Sequence, residues 1–157
     1  MKHEIEPVYD KNSKILILGS FPSQASKAAG FYYAHKQNRF WRVLPLVTGG
    51  ECGETKEEKT RFLLENNIAL WDVIASCTAV GSADSSIKDV IPNDITKITD
   101  AADIKAVYLN GRLAAKLYEK YIKSDIPHFY LPSTSPANAA YSLERLVSEW
   151  SVICCNP

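Results

Sequence analysis

The chain has 157 residues, 46% hydrophobic and 23% charged, which suits one compact domain spanning residues 1–157 with an apolar core of its own. Eighteen Lys and Arg balance eighteen Asp and Glu, so the overall field gives no reason by itself to expect a polyanionic partner. No apolar run approaches the length of a bilayer span, and the opening MKHEIEPVYDKNSK has no apolar stretch behind its basic residues, so a cytoplasmic protein without membrane association is expected.

In chain order, Lys14 to Gly19 reads as the first short, almost continuous apolar run, the pattern of a strand buried on both faces. A long loop follows from Gly19 to a helix near Asn38, with Phe40 and Trp41 on that helix's core side. Thr55 and Glu58 form a T-x-x-E capping box for a helix through Asn66. Ile68 to Val73 is the second buried run, and Asn93 is placed to cap a short helix after Pro92. Ile104 to Leu109 is the third run. Gly111 to Lys123 then carries Leu113, Ala114, Leu117, Tyr118 and Tyr121 on one helical face. Ile126 to Leu131 is the fourth run, and a last helix from near Asn138 repeats Leu143, Leu146, Val147 and Trp150. Such alternation predicts an α/β fold: a four-stranded parallel sheet between two helical layers, a three-layer αβα sandwich.

In such a sheet ligands bind beyond the carboxyl ends of the strands. The informative segments are therefore Gly19 to Asn38, Asp72 to Asp84, Asn110 with Gly111, and Pro132 to Asn138. The first is rich in Gly, Ser, Ala and aromatics, and a loop of that length inside a domain usually serves function. Gly19 permits a tight turn at the strand end, and Tyr33 offers a flat face on which an extruded base can stack. His35 either pairs with phosphate or braces the loop. Asn110 either reads a base with its amide or caps the following helix. Asp72 and Asp84 are the carboxylate candidates for a general base, with loop-holding and turn-capping as their structural alternatives. Ser133, Thr134 and Ser135, set between prolines, either offer hydroxyls and N–H groups to phosphate or form no more than a capped turn. Lys11 to Gly50 has six basic residues and no acidic one, and Ile126 to Leu143 is also free of acids: either one phosphate-facing surface or a chance clustering of charge on solvated faces. Cys52, Cys77, Cys154 and Cys155 show no chelating spacing, and neither a G-x-G-x-x-G run nor a P-loop occurs, so no metal and no cofactor are expected.

The ordered set GSFPS, YYAHKQNRFW, LWDVIASC, GSADSSI, PNDI, LNG and LPSTSPAN resembles the uracil-DNA glycosylase superfamily over nearly the whole chain, and its hypoxanthine (deoxyinosine) branch in particular. The resemblance implies a uracil-DNA glycosylase-like fold and a monomer acting on DNA that contains a deaminated base. It implies Asn38 as the catalytic residue orienting water, Gly19, Ser20, Phe21, Tyr33 and Asn110 around the base, and His35, Ser133, Thr134 and Ser135 against DNA. Phe21 stands where other branches keep a water-holding Asp or Asn, and Leu131 where uracil-specific members place a His, so a uracil or mismatch preference is disfavoured. Ser23 and Lys36 also depart from the branch pattern. No lysine is obvious as a Schiff-base nucleophile, so base release without strand cleavage is expected. A nucleotide-binding module without catalysis is the reading from another class, since a fold does not fix a function.

Overall fold

The computed structural model describes residues 2–79 and 87–155. In chain order its elements are β1 (Ile15–Gly19), α1 (Gln24–Ala29), α2 (Phe40–Thr48), α3 (Lys56–Glu65), β2 (Ile68–Asp72), β3 (Ile74–Ala79), β4 (Ile87–Pro92), α4 (Thr96–Thr99), β5 (Ala106–Asn110), α5 (Arg112–Tyr121), β6 (His128–Leu131), α6 (Leu143–Trp150) and α7 (Val152–Cys155). The four apolar runs pair as one parallel sheet in the order β2-β1-β5-β6. Every residue of β1 and β2 is buried. Alternate side chains point to opposite faces, so both faces of these strands are covered, as the absence of polar alternation predicts. Among the described residues, no helix is long and apolar enough to cross a membrane.

The capping box forms as read: Thr55 Oγ1 accepts from Glu58 N–H at 3.0 Å, and the Glu58 carboxylate accepts from Thr55 N–H at 3.3 Å. Elsewhere local signals give way to tertiary partners. The loop after β1 contains α1, capped by the Ser23 side chain on Ser26 N–H and closed by Gly30 in the left-handed region. The run after Asp72 does not end: Val73 turns the chain into β3, which pairs antiparallel with β4 in a hairpin with irregular register. Asn93 caps no helix. Its amide instead donates to the carbonyls of Asp72 and Ile74, pinning the β2–β3 corner, while α4 begins after Ile95. The helix expected near Asn138 starts instead at Leu143, capped by Ser142, while Asn138 spends its amide on the Ser133 carbonyl. β6 is also less buried than its composition suggests, with Phe129 and Tyr130 43% and 46% exposed. Among the described residues it is an edge strand, paired only with β5.

The chain leaves β1 for β2 on one side and returns to β5 on the other, so the sheet reverses direction at β1. That reversal opens a crevice at the carboxyl ends of β1 and β5. Ahead of the sheet, Val8 pairs antiparallel with Leu70, bringing the N-terminal residues alongside β2.

Candidate active site

All four strands deliver residues to one cleft of about 210 Å³: Gly19 from β1, Asp72 from β2, Asn110 from β5, and Ser133, Thr134 and Ser135 from the loop beyond β6. Ser20, Phe21 and Tyr33 complete the lining expected from the first loop. The volume falls below the roughly 300–1,000 Å³ of sites for drug-sized ligands, and matches a single base better than a whole nucleotide.

Gly19 is the floor. A Cβ there would stand 2.5 Å from Asp72 Oδ1 and 2.7 Å from the Tyr33 hydroxyl, so only a bare backbone lets both oxygens converge. The register explains half of this, since Gly19 pairs with Asp72 across parallel β1 and β2. The other half is a strained residue. Tyr33 has φ 53, in the left-handed region, which costs a bulky side chain about 1–3 kcal/mol. Its ring is stacked on Phe40 at 4.1 Å, so one of its two faces is already covered. Its hydroxyl is buried and makes no hydrogen bond of ordinary geometry among the described residues. Burial first, and the charge of Asp72 second, hold this phenol above its ordinary value, while the Asn110 side chain, near enough to interact with it, pulls it down. The hydroxyl is therefore a neutral group beside the Asp72 side chain at the floor of the cleft.

Asp72 is itself 3% exposed. His3 Nε2 donates to its Oδ2 at 2.8 Å, and the two side chains are only 2% and 5% exposed. Nothing in the sequence singled out His3, which lies 69 residues away from its partner. Its N–H donates to the Ala75 carbonyl at 2.7 Å, so the N-terminal segment is fastened beside β3.

Asn110 caps nothing. The helix after it begins from Gly111 without a side-chain cap, and the amide turns to the loop beyond β6. Its Nδ2 donates to Thr134 Oγ1, and its Oδ1 accepts from Thr134 N–H, both at 3.1 Å. Thr134 is consequently fully buried and anchors the loop from within, where the sequence reading put it against DNA. Ser133 and Ser135 accept from main-chain N–H groups two residues on, which stiffens the turn.

The two acid-free stretches meet through Arg39, a residue the sequence reading did not single out. Its guanidinium donates to the carbonyls of Ser135, Asn138 and Tyr141, and its own N–H donates to the Thr134 carbonyl at 3.1 Å. Asn38 lies next to it, outside the cleft lining. Its Oδ1 accepts from Phe40 N–H at 2.9 Å, fixing the carboxamide, and its Nδ2 makes no hydrogen bond among the described residues. His35 is exposed, and its Nδ1 accepts from Gln37 N–H, bracing the loop. Asp84 lies outside the described residues. Among the described residues no cluster of His, Cys, Asp or Glu is arranged to hold a metal ion.

A small cleft at the carboxyl edge of a parallel sheet, closed by two loops free of acidic residues, places the protein among α/β proteins that take a ligand where the strand order reverses. More narrowly, the chain belongs to the uracil DNA glycosylase superfamily, whose family model matches residues 6–152. A protein of Methanosarcina acetivorans named Hypoxanthine DNA glycosylase is 35% identical over 156 residues, covering 98% of each chain. One of Methanosarcina barkeri with the same name is 34% identical and covers 96% of each. A solution NMR structure from Methanosarcina acetivorans, described provisionally as a uracil DNA glycosylase, superposes with a TM-score of 0.83 at 35% identity, over 97% of this chain and 95% of that one.

Proposed function

We propose that this protein hydrolyses the N-glycosidic bond of deaminated bases in DNA, hypoxanthine foremost, and releases the base without cutting the strand. The observation that carries the reading is the convergence of Asp72 and Tyr33 on the bare backbone of Gly19, in a small cleft that Asn110 also lines: an acceptor and a hydroxyl donor stand side by side on its walls. The relatives named Hypoxanthine DNA glycosylase, matched over nearly their full length, support the choice of base.

A base inside a duplex must leave the stack before its glycosidic bond can be reached. In this reading the flipped base enters the cleft beside Phe21, while Asn38 serves the sugar, outside the base pocket. The carboxamide orients a water but cannot take its proton as a carboxylate would. The C1′–N bond therefore breaks first, leaving an oxocarbenium-like sugar and an anionic base. The water oxygen then bonds C1′, and the departing base takes up the proton released. Preorganised donors around the base stabilise the charge it gains. The cleft lining holds no lysine to form a Schiff base, which supports base release alone. Ser133, Ser135 and His35 are the candidates for phosphate contact.

A duplex oligonucleotide with one deoxyinosine, incubated with the protein and then treated with hot alkali, is expected to break at that position. An intact deoxyinosine strand beside a cut deoxyuridine strand moves the assignment to uracil or mismatch excision.

A further inference from the structure

Adenine and hypoxanthine differ at the edge of the six-membered ring. Adenine has a bare lone pair at N1 and an amino group at C6, whereas hypoxanthine has N1–H and a carbonyl. An ionised carboxylate can accept hydrogen bonds but has none to give, so it attracts N1–H and repels an N1 lone pair. Asp72 presents such a group. Its Oδ2 is occupied by His3, while its Oδ1 takes no hydrogen bond among the described residues and lines the cleft. Beside it the unpartnered Tyr33 hydroxyl supplies a donor, and the two oxygens lie 2.5 and 2.7 Å from one point above Gly19. Acceptor next to donor is the complement of a lactam edge.

We infer that His3 and Asp72 together read the deaminated state of the flipped base: Asp72 Oδ1 accepts from N1–H, Tyr33 donates to O6, and His3 is a positioning residue that keeps an acceptor facing the cleft. The inference rests on the hypoxanthine reading of the same site. A histidine that donates from Nε2 to Oδ2 fixes the rotation of the carboxylate, and the Asn93 amide on the Asp72 carbonyl fixes the backbone that carries it. The pair is costly as mere scaffolding, because two polar side chains taken out of water give back much of what their hydrogen bond gains. The His3 ring also packs edge-on to Phe21 at 6.1 Å, so one residue braces both the polar and the apolar wall of the cleft.

The test compares single-turnover release from duplexes containing deoxyinosine with release from duplexes containing deoxynebularine, whose unsubstituted purine has a lone pair at N1. Wild type is expected to favour deoxyinosine, and Asp72→Asn to narrow that ratio at least tenfold, because His3 holds the carbonyl of the new amide and turns its NH2 toward N1. His3→Ala narrows the ratio as well, and His3→Gln, which still donates, restores most of it. Equal loss on both substrates, with the ratio unchanged, overturns the inference and leaves the hypoxanthine assignment standing. Failure of wild type to release hypoxanthine at all overturns both. A measurement without variants guards against misfolding: free hypoxanthine should compete with the deoxyinosine duplex at least tenfold better than 1-methylhypoxanthine, and equal competition rules out the N1–H contact.

Discussion

Asn110 and Thr134 hold each other through two hydrogen bonds of 3.1 Å, one in each direction, and that clasp ties the end of β5 to the loop beyond β6. Thr134 is fully buried, so its N–H has no water to fall back on. Asn110→Ala should therefore destabilise the protein by roughly 1–3 kcal/mol, the cost of an unpaired buried donor. Combined with Thr134→Val in a double-mutant cycle of urea denaturation, the two changes should fall short of additivity. Additive effects would show that the bonds contribute nothing jointly.

Gly19→Ala tests the convergence above β1. The added methyl group meets Asp72 Oδ1 at 2.5 Å and the Tyr33 hydroxyl at 2.7 Å, and neither group is at the end of a long flexible side chain. Displacing them by about an ångström should slow base release on the order of 100-fold. Single-turnover kinetics that match wild type would place the reacting base elsewhere.

Asn38→Ala should lower the single-turnover rate by about 100-fold or more while leaving affinity for a deoxyinosine duplex close to wild type. The amide is assigned to water and to the sugar, not to holding the base. A variant that binds poorly yet releases base at the normal rate when saturated contradicts that role.

Arg39 fastens the Ser/Pro loop to α2 through three main-chain carbonyls. Hydrogen bonds from a charged donor contribute about 1.5–3 kcal/mol each when removed singly, so Arg39→Ala should lower stability by several kcal/mol. Arg39→Lys should recover only part, since a point-like ammonium cannot span the three acceptors as the planar fork does. Thermal denaturation measures the loss, and faster proteolysis between residues 132 and 141 should accompany it.

Alkaline pH should weaken the fold in part through Tyr33. Burial, and then the charge of Asp72, raise its folded-state value above the ordinary 10.0. Its contribution is complete below about pH 10 and is lost as pH rises beyond, where the unfolded chain ionises this phenol and the folded one resists. Tyr33→Phe removes that share, so its urea midpoint should fall less steeply than wild type above pH 10. Parallel slopes would show that the hydroxyl is not sequestered.

Much of this was legible in the sequence. Runs such as Ile15–Gly19 and Ile68–Asp72 have no polar alternation, which a strand can carry only when both its faces are covered, so the parallel sheet and its active edge follow from composition. The segments that line the cleft follow too, because they sit just after those runs. What each side chain does there was decided by long-range geometry. Asn93 reads locally as a helix cap, and Asn110 as a base reader or a cap, yet each spends its amide on another strand or loop. The hairpin of β3 and β4 escaped notice because LWDVIASC continues one apolar run across a corner that only the fold reveals. His3 carried no local signal at all, and Arg39 counted only as one of six basic residues in an acid-free stretch. Their importance arises from reaching across 69 and about 100 residues to groups that water would otherwise hold, and a pairing over such distances exists only once the core has closed.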